Sequence, residues 1–275
     1  MRNRLLFVLS FIILTVDCFS QVDCEIYSKS FSSGEKISYQ LYYNLGFIWI
    51  NAGICDFEVR SVKWDNKPVY QLSAVGKSNR TFESLFIVRD TLISFTNIES
   101  LVPYRALKLA HEGRWSGTDE ISFSREKAGW KVSTRLKRRG EWKEPEDDFS
   151  VNCGFDILTS IYRLRCMNDS EVFVKDKITT IPLRLDDGEY KVSLKYLGKQ
   201  DIKLHGKGSY KSHAFTLTLV QGNVFGSGGI MKLWISDDKN KLPLLIESPL
   251  RVGKVKAIFK TSEKTLYPLS LPLKK

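Results

Sequence analysis

The sequence predicts an all-β protein with one or two short helices. The expected form is a large curled antiparallel sheet or open barrel, with a helix covering its concave side. Three observations carry this. Apolar and polar residues alternate with period two along most of the chain, turn residues punctuate the alternating runs, and one segment shifts to helical spacing.

In chain order, Met1 to Gln21 comes first and reads as an export signal. Arg2 and Arg4 precede an apolar run from Leu5 to Val16, and Cys18-Phe19-Ser20 places small residues for cleavage before Gln21. The run falls short of the roughly 20 apolar residues that span a bilayer. Lipid attachment at Cys18 is disfavoured by Asp17 directly before it. The expected organisation is a cleaved signal over 1–20 and a single antiparallel β domain over 21–275.

Period two follows. Ile37, Tyr39, Leu41 and Tyr43 alternate with Lys36, Ser38, Gln40 and Tyr42, and similar runs recur at Tyr190 to Tyr196 and Val255 to Phe259. Such patterns wet one face and bury the other. Further strand-like runs are Val69 to Val75, Leu92 to Phe95, Ile121 to Phe123, Trp130 to Leu136, Glu171 to Val174, Phe215 to Val220, Ile230 to Ile235 and Leu244 to Ile246. Asp65-Asn66, Arg139-Gly140 and Asp187-Gly188 are among the turns between them. About a dozen strands result, at the spacing expected of an all-β sandwich, a barrel or a strongly curled sheet. The helix is expected near 155–165, where Phe155, Leu158, Ile161 and Leu164 form a stripe, Asn152 or Asp156 can cap the first turn, and Arg163 and Arg165 suit the C-terminal end. Arg80 to Leu85 reads as a second short turn of helix, Glu144 to Asp148 as a loop, and the tail from Tyr267 as extended and frayed.

Composition narrows function. The 275 residues carry 42 Lys and Arg against 31 Asp and Glu, a formal charge of +11, with 43% hydrophobic and 12% aromatic residues. Disorder is excluded by that apolar content. Loss of the leader removes Arg2, Arg4 and Asp17. It leaves Cys24, Cys55, Cys153 and Cys166, which allow three pairings. Cys55 shares a strand face with Phe57 and Val59, so a buried thiol suits it. Cys153 and Cys166 are a candidate disulfide, yet a continuous helix between them spans roughly 20 Å, and a disulfide tolerates at most about 7 Å between Cα atoms. They pair only if the helix is shorter and its flanks fold back.

No catalytic constellation is visible. There is no Gly-x-Ser-x-Gly turn, and His111, His205 and His213 lack zinc-ligand spacing. Gly226-Ser227-Gly228-Gly229 lacks the lysine and helix of a phosphate loop, and reads as a hairpin connection. Asp186-Asp187 and Asp237-Asp238 lead into turns. No metal or cofactor site is expected. Lys191, Lys195, Lys199, Lys203, Lys207 and Lys211 recur every four residues, a candidate basic sheet face for an anionic glycan or lipopolysaccharide. Arg135, Lys137, Arg138 and Arg139 form a second basic cluster at a hairpin end. Nucleic acid is disfavoured in an exported chain without a nucleic-acid motif. No later segment is apolar enough to be a transmembrane helix.

A series of short landmarks runs through nearly the whole mature chain. These are Gly34-Glu35-Lys36 with Tyr39, Asn51-Ala52-Gly53, Val88-Arg89-Asp90, Pro103-Tyr104, Asp156-Ile157-Leu158, and Trp234-Ile235-Ser236-Asp237-Asp238 followed by Pro243. In order and spacing the chain resembles the exported bacterial family called domain of unknown function 3108, and its cleavage site is similar to those of Bacteroidetes. The resemblance implies a Gram-negative periplasm or outer-membrane association. It also implies a curved sheet similar in outline to the periplasmic lipoprotein carriers. It implies no established activity, so no catalytic residue carries over.

Three functions are weighed. The first is a non-enzymatic envelope module whose curled sheet holds an amphiphile or docks an envelope component. The second is an envelope-polymer binding or scaffolding protein using the lysine face. The third is a hydrolase built on Asp237 and His205.

Overall fold

The computed structural model describes residues 24, 26, 29–150, 152–186, 188–219, 229–250, 252–270 and 272–273. The expected export signal, Asp187 and Gly226 to Gly228 lie outside them. The described residues form fifteen strands and three short helices. The strands are β1 (Lys36–Leu45), β2 (Ile48–Trp64), β3 (Lys67–Ser78), β4 (Arg89–Thr96), β5 (Pro103–Glu112), β6 (Trp115–Glu126), β7 (Gly129–Arg138), β8 (Glu141–Trp142), β9 (Glu146–Ser150), β10 (Ile178–Leu185), β11 (Gly188–Leu204), β12 (Gly208–Leu219), β13 (Met231–Ser236), β14 (Pro243–Pro249) and β15 (Lys254–Glu263). The helices are α1 (Arg80–Glu83), α2 (Ile157–Cys166) and α3 (Asp169–Val172).

All strands belong to one antiparallel sheet in the order β10-β11-β12-β13-β14-β15-β1-β2-β3-β4-β5-β6-β7-β8, with β9 also on β7. Strands successive in the chain pair as neighbours, except that β8 and β9 both lie on β7 and that the chain leaves β9, forms α2 and α3 and re-enters at the far edge; β1 also pairs with the last strand. The sheet curls, but among the described residues its edge strands do not pair with each other. Side chains bridge the gap instead: Arg184 on β10 pairs with Asp148 on β9 at 2.6 Å, and Arg138 on β7 stands 3.7 Å from Asp186.

The period-two pattern explains the concave face. One ladder row runs Val59, Leu72, Ser94, Ala106, Ile121 and Thr134 across β2 to β7, and every member is buried. On the other half, Tyr196, Phe215, Leu233, Ile246, Ala257 and Leu41 form a second row. Hairpin turns sit where the sequence places them: Asp65-Asn66 and Arg139-Gly140 all take positive φ, as the tight hairpin turn that matches strand twist requires.

Helix α2 lies in the concavity. Asp156 is its cap, accepting from the Leu158 and Thr159 amides, and Ser94 on β4 donates to the same carboxylate at 2.5 Å. The helix is buried on nearly all sides, at Leu158, Thr159, Tyr162, Arg163, Leu164, Arg165 and Cys166. This corrects the expected single apolar stripe. A helix seated in a curled sheet is enclosed by strands and by the segments that cross it, so even its basic residues are buried, with Arg163 on the Cys24 carbonyl and Arg165 on the Ser30 and Asn240 carbonyls.

Four further expectations are corrected. Glu171 to Val174 is not a strand; α3 occupies Asp169–Val172, capped by Asn168. Glu144 to Asp148 is not all loop, because β9 begins at Glu146 and its acids meet Lys131 and Arg184 across the sheet edge. The tail is pinned: Asn240 Nδ2 donates to the Tyr267 and Pro268 carbonyls, and the Leu273 amide donates to Ser209 at 2.7 Å. Cys153 pairs with Cys24 rather than Cys166, with Cα atoms 6.1 Å apart. The ten-residue helix holds Cys166 at its far end, beside Leu72 and Phe31, while Cys153 precedes the helix in a separate cluster. Among the described residues, no helix is long and apolar enough to cross a membrane.

Candidate functional site: a chambered cavity along helix α2

The helix does not fill the concavity. On one side of it lies a cavity of 210 Å³, floored by β10 to β14 through Ile181, Val192, Leu194, Leu217, Leu233 and Ile246, and roofed by Ile157, Ser160, Ile161 and Leu164. That exceeds the roughly 150 Å³ of an engineered cavity that holds benzene. Its walls are almost wholly apolar. The exception is Ser160 Oγ, which is buried with no hydrogen-bond partner in the protein.

A second chamber of 170 Å³ continues past Ile161, Pro243 and Ile246, which line both. Its walls include Tyr39, Phe57, Tyr162 and Arg165. Burial pushes the Tyr39 and Tyr162 hydroxyls above their ordinary pKa and raises the Cys55 thiol to about 12. All three are therefore neutral, and the thiol is no nucleophile. Arg165 is buried, yet stays charged. Glu35 receives it through two bonds of 2.7 and 2.8 Å, the Ser30 and Asn240 carbonyls accept two more, and together they outweigh the cost of burial.

At its other end the cavity meets a crevice of 100 Å³, with Ile157 and Leu185 lining both. This lies at the gap between the sheet's edges. The ladder row Phe57, Ala74, Leu92 continues there as Lys108 and Asp119, so the concave face turns from apolar to charged as it nears the edge.

The predicted residues fall in several places. Asp237 does not meet His205, which is exposed in the β11–β12 turn; its partner is His213, at 2.8 Å. The assembly expected of a hydrolase is absent. Instead Tyr196 donates to His213 Nδ1, His213 Nε2 donates to Asp237, and Lys199 closes the chain at 2.7 Å. Phe173 stacks on the imidazole with ring centroids 3.9 Å apart. Burial holds His213 below its ordinary pKa even against Asp237, and Lys199 and His213 hold the Asp237 carboxyl low despite its own burial. One bond to each ring nitrogen fits a neutral imidazole. Asp238 is a turn residue, accepting from the Asn240, Lys241 and Ser270 amides.

The lysine series is split. An extra residue in β11 shifts the register between Tyr196 and Gly198, so Lys195 faces with Thr216 but Lys199 faces with His213. Lys191 and Lys195 therefore occupy one sheet face, Lys199 and Lys203 the other. Lys195 is also paired with Asp176 at 3.0 Å.

The landmark residues hold the fold. Gly34 turns at positive φ before the buried Glu35, and Tyr39 packs against Phe57 and Phe259. A side chain on Gly53 would strike the Lys77 backbone. Arg89 pairs with Glu83, Asp90 accepts the His111 amide, Tyr104 accepts from Asn97, and Trp234 donates to Gln200. Neither the Glu35–Arg165 pair nor the cavity is legible in the sequence, because both arise from contacts distant along the chain.

The fold and cavity define a class: an open, barrel-like antiparallel sheet wound round a helix, hollow on the apolar side. Within that class the chain belongs to the family described as "Protein of unknown function (DUF3108)", whose model matches residues 38–260. No curated protein matches. Among solved structures, the chain is similar to a beta-barrel-like protein of domain of unknown function DUF1849 from Brucella abortus. The identity is 7%, the TM-score 0.56, and the match covers 84% of this chain and 98% of that one. At that identity the likeness concerns the fold alone.

Proposed function

We propose that this protein is an exported, non-catalytic module of the cell envelope that holds an amphiphile along helix α2. The observation that carries this is the 210 Å³ apolar cavity. An apolar chain in the cavity takes this lining out of contact with water, and Ser160 Oγ offers a polar contact to orient the guest.

Export rests on the leader-like first twenty residues and on the Cys24–Cys153 disulfide, which suits an oxidising compartment. Fractionation of cells expressing the tagged full chain should recover it in the envelope. Full recovery in the cytosol contradicts export.

The cavity reading is tested with a neutral apolar fluorophore and by mass spectrometry of gently purified protein. Wild type should take up the probe and carry lipid-sized molecules. Leu194→Trp, which fills the cavity from its floor, should abolish uptake while keeping the wild-type circular dichroism. Equal uptake by the folded variant overturns the reading.

A further inference from the structure

The proposed amphiphile must have a polar end, and the crevice at the sheet's open edges differs from the rest of the cavity in what it offers. Its three acids each have a partner. Asp119 Oδ1 makes no regular hydrogen bond but lies 2.5 Å from Arg138, Asp186 lies 3.7 Å from the same guanidinium, and Asp156 accepts from Ser94 and from the first turn of α2. Its cations retain donors. Arg184 is 7% exposed and gives Nη1 to Asp148, but its Nε–H is buried with no acceptor in the protein. Among the described residues, Lys108 has as its ion-pair partner only Asp119, at the long distance of 4.0 Å. A buried unpaired donor is costly, more so on a charged group. Ligand pockets fix orientation with a few such groups beside an apolar wall.

We propose that this crevice is the head-group end of the cavity and selects a single-chain amphiphile with an acidic head. The chain lies between α2 and β10 to β14. The head accepts from Lys108 and Arg184 at the edge, where it reaches solvent. This rests on the cavity reading above and adds the chemistry of the guest.

The experiment compares decanoate with decanol on the full chain, by displacement of the neutral fluorophore at a pH where the acid is ionised. Wild type should prefer decanoate by roughly tenfold or more, as expected of a charge-assisted hydrogen bond. Lys108→Gln, at a partly exposed position, should erase most of that preference by weakening decanoate far more than decanol, whose hydroxyl forms only the weaker neutral hydrogen bond. Arg184→Lys should weaken decanoate selectively as a second check. Equal binding of the two ligands by wild type overturns the head-group assignment while the cavity reading stands. So does an unaltered ratio in Lys108→Gln. Failure of wild type to bind the fluorophore or either ligand overturns both.

Discussion

At the residue scale, the deepest commitment is Arg165 with Glu35. Both are essentially without solvent exposure and meet through a two-pronged pair. Removing one partner leaves an uncompensated buried charge, so Glu35→Gln should lower unfolding free energy by about 3–5 kcal/mol. Urea denaturation measures this, and the double variant Glu35→Gln with Arg165→Met should be less destabilised than Glu35→Gln alone. His213 sets a pH dependence. Burial lowers its pKa in the fold, whereas in the unfolded chain it titrates near about 6.5. The unfolded state therefore takes up the proton first as pH falls. Stability contributed by neutral His213 is complete above about pH 6.5 and declines below it. Denaturation midpoints at about pH 7.5 and about pH 5.5 should differ in wild type and converge in His213→Gln.

At the element scale, α2 shows what local sequence can and cannot announce. Asp156 capping and helical spacing were legible, because both depend on neighbours within a turn. The enclosure of Arg163 and Arg165 was not, since Cys24, Glu35 and Asn240 come to them from distant segments. The bulge in β11 falls just before Gly198, and only pairing with β12 shows which lysines change face. The Cys24–Cys153 bond anchors the chain just before the helix and closes a loop of 129 residues. Cys24→Ser should cost about 2–5 kcal/mol, read from the thermal midpoint. Cys166→Ser should leave the disulfide content unchanged by thiol titration.

At the scale of the whole molecule, the sheet is an open barrel whose edges are bridged by side chains rather than by strand pairing. β1 to β3 have neighbours on both sides, whereas β10, β8 and β9 stand at the gap. Amide hydrogen exchange should be slowest in β1 to β3 and fastest at the gap. Arg184→Gln, which removes the bridge to Asp148, should speed exchange in β9 and β10 and spare β2. Slow, uniform protection across both edges would contradict an open barrel. The openness also places the charged crevice where the apolar cavity meets solvent.

Alternating residues by themselves determined that this chain is an antiparallel β protein with one main helix, because strand and helix periods are properties of neighbouring residues. Glu146 to Ser150 and Glu171 to Val174 escaped that rule: one is an edge strand rich in acids, the other too short for its period to show. Only the tertiary structure decided that the concavity is hollow beside α2, that Cys153 takes Cys24, and that Asp237 takes His213. Volume, cross-links and ion pairs between distant segments depend on how the sheet closes. That closure is set by register and curvature, which no local stretch of sequence contains.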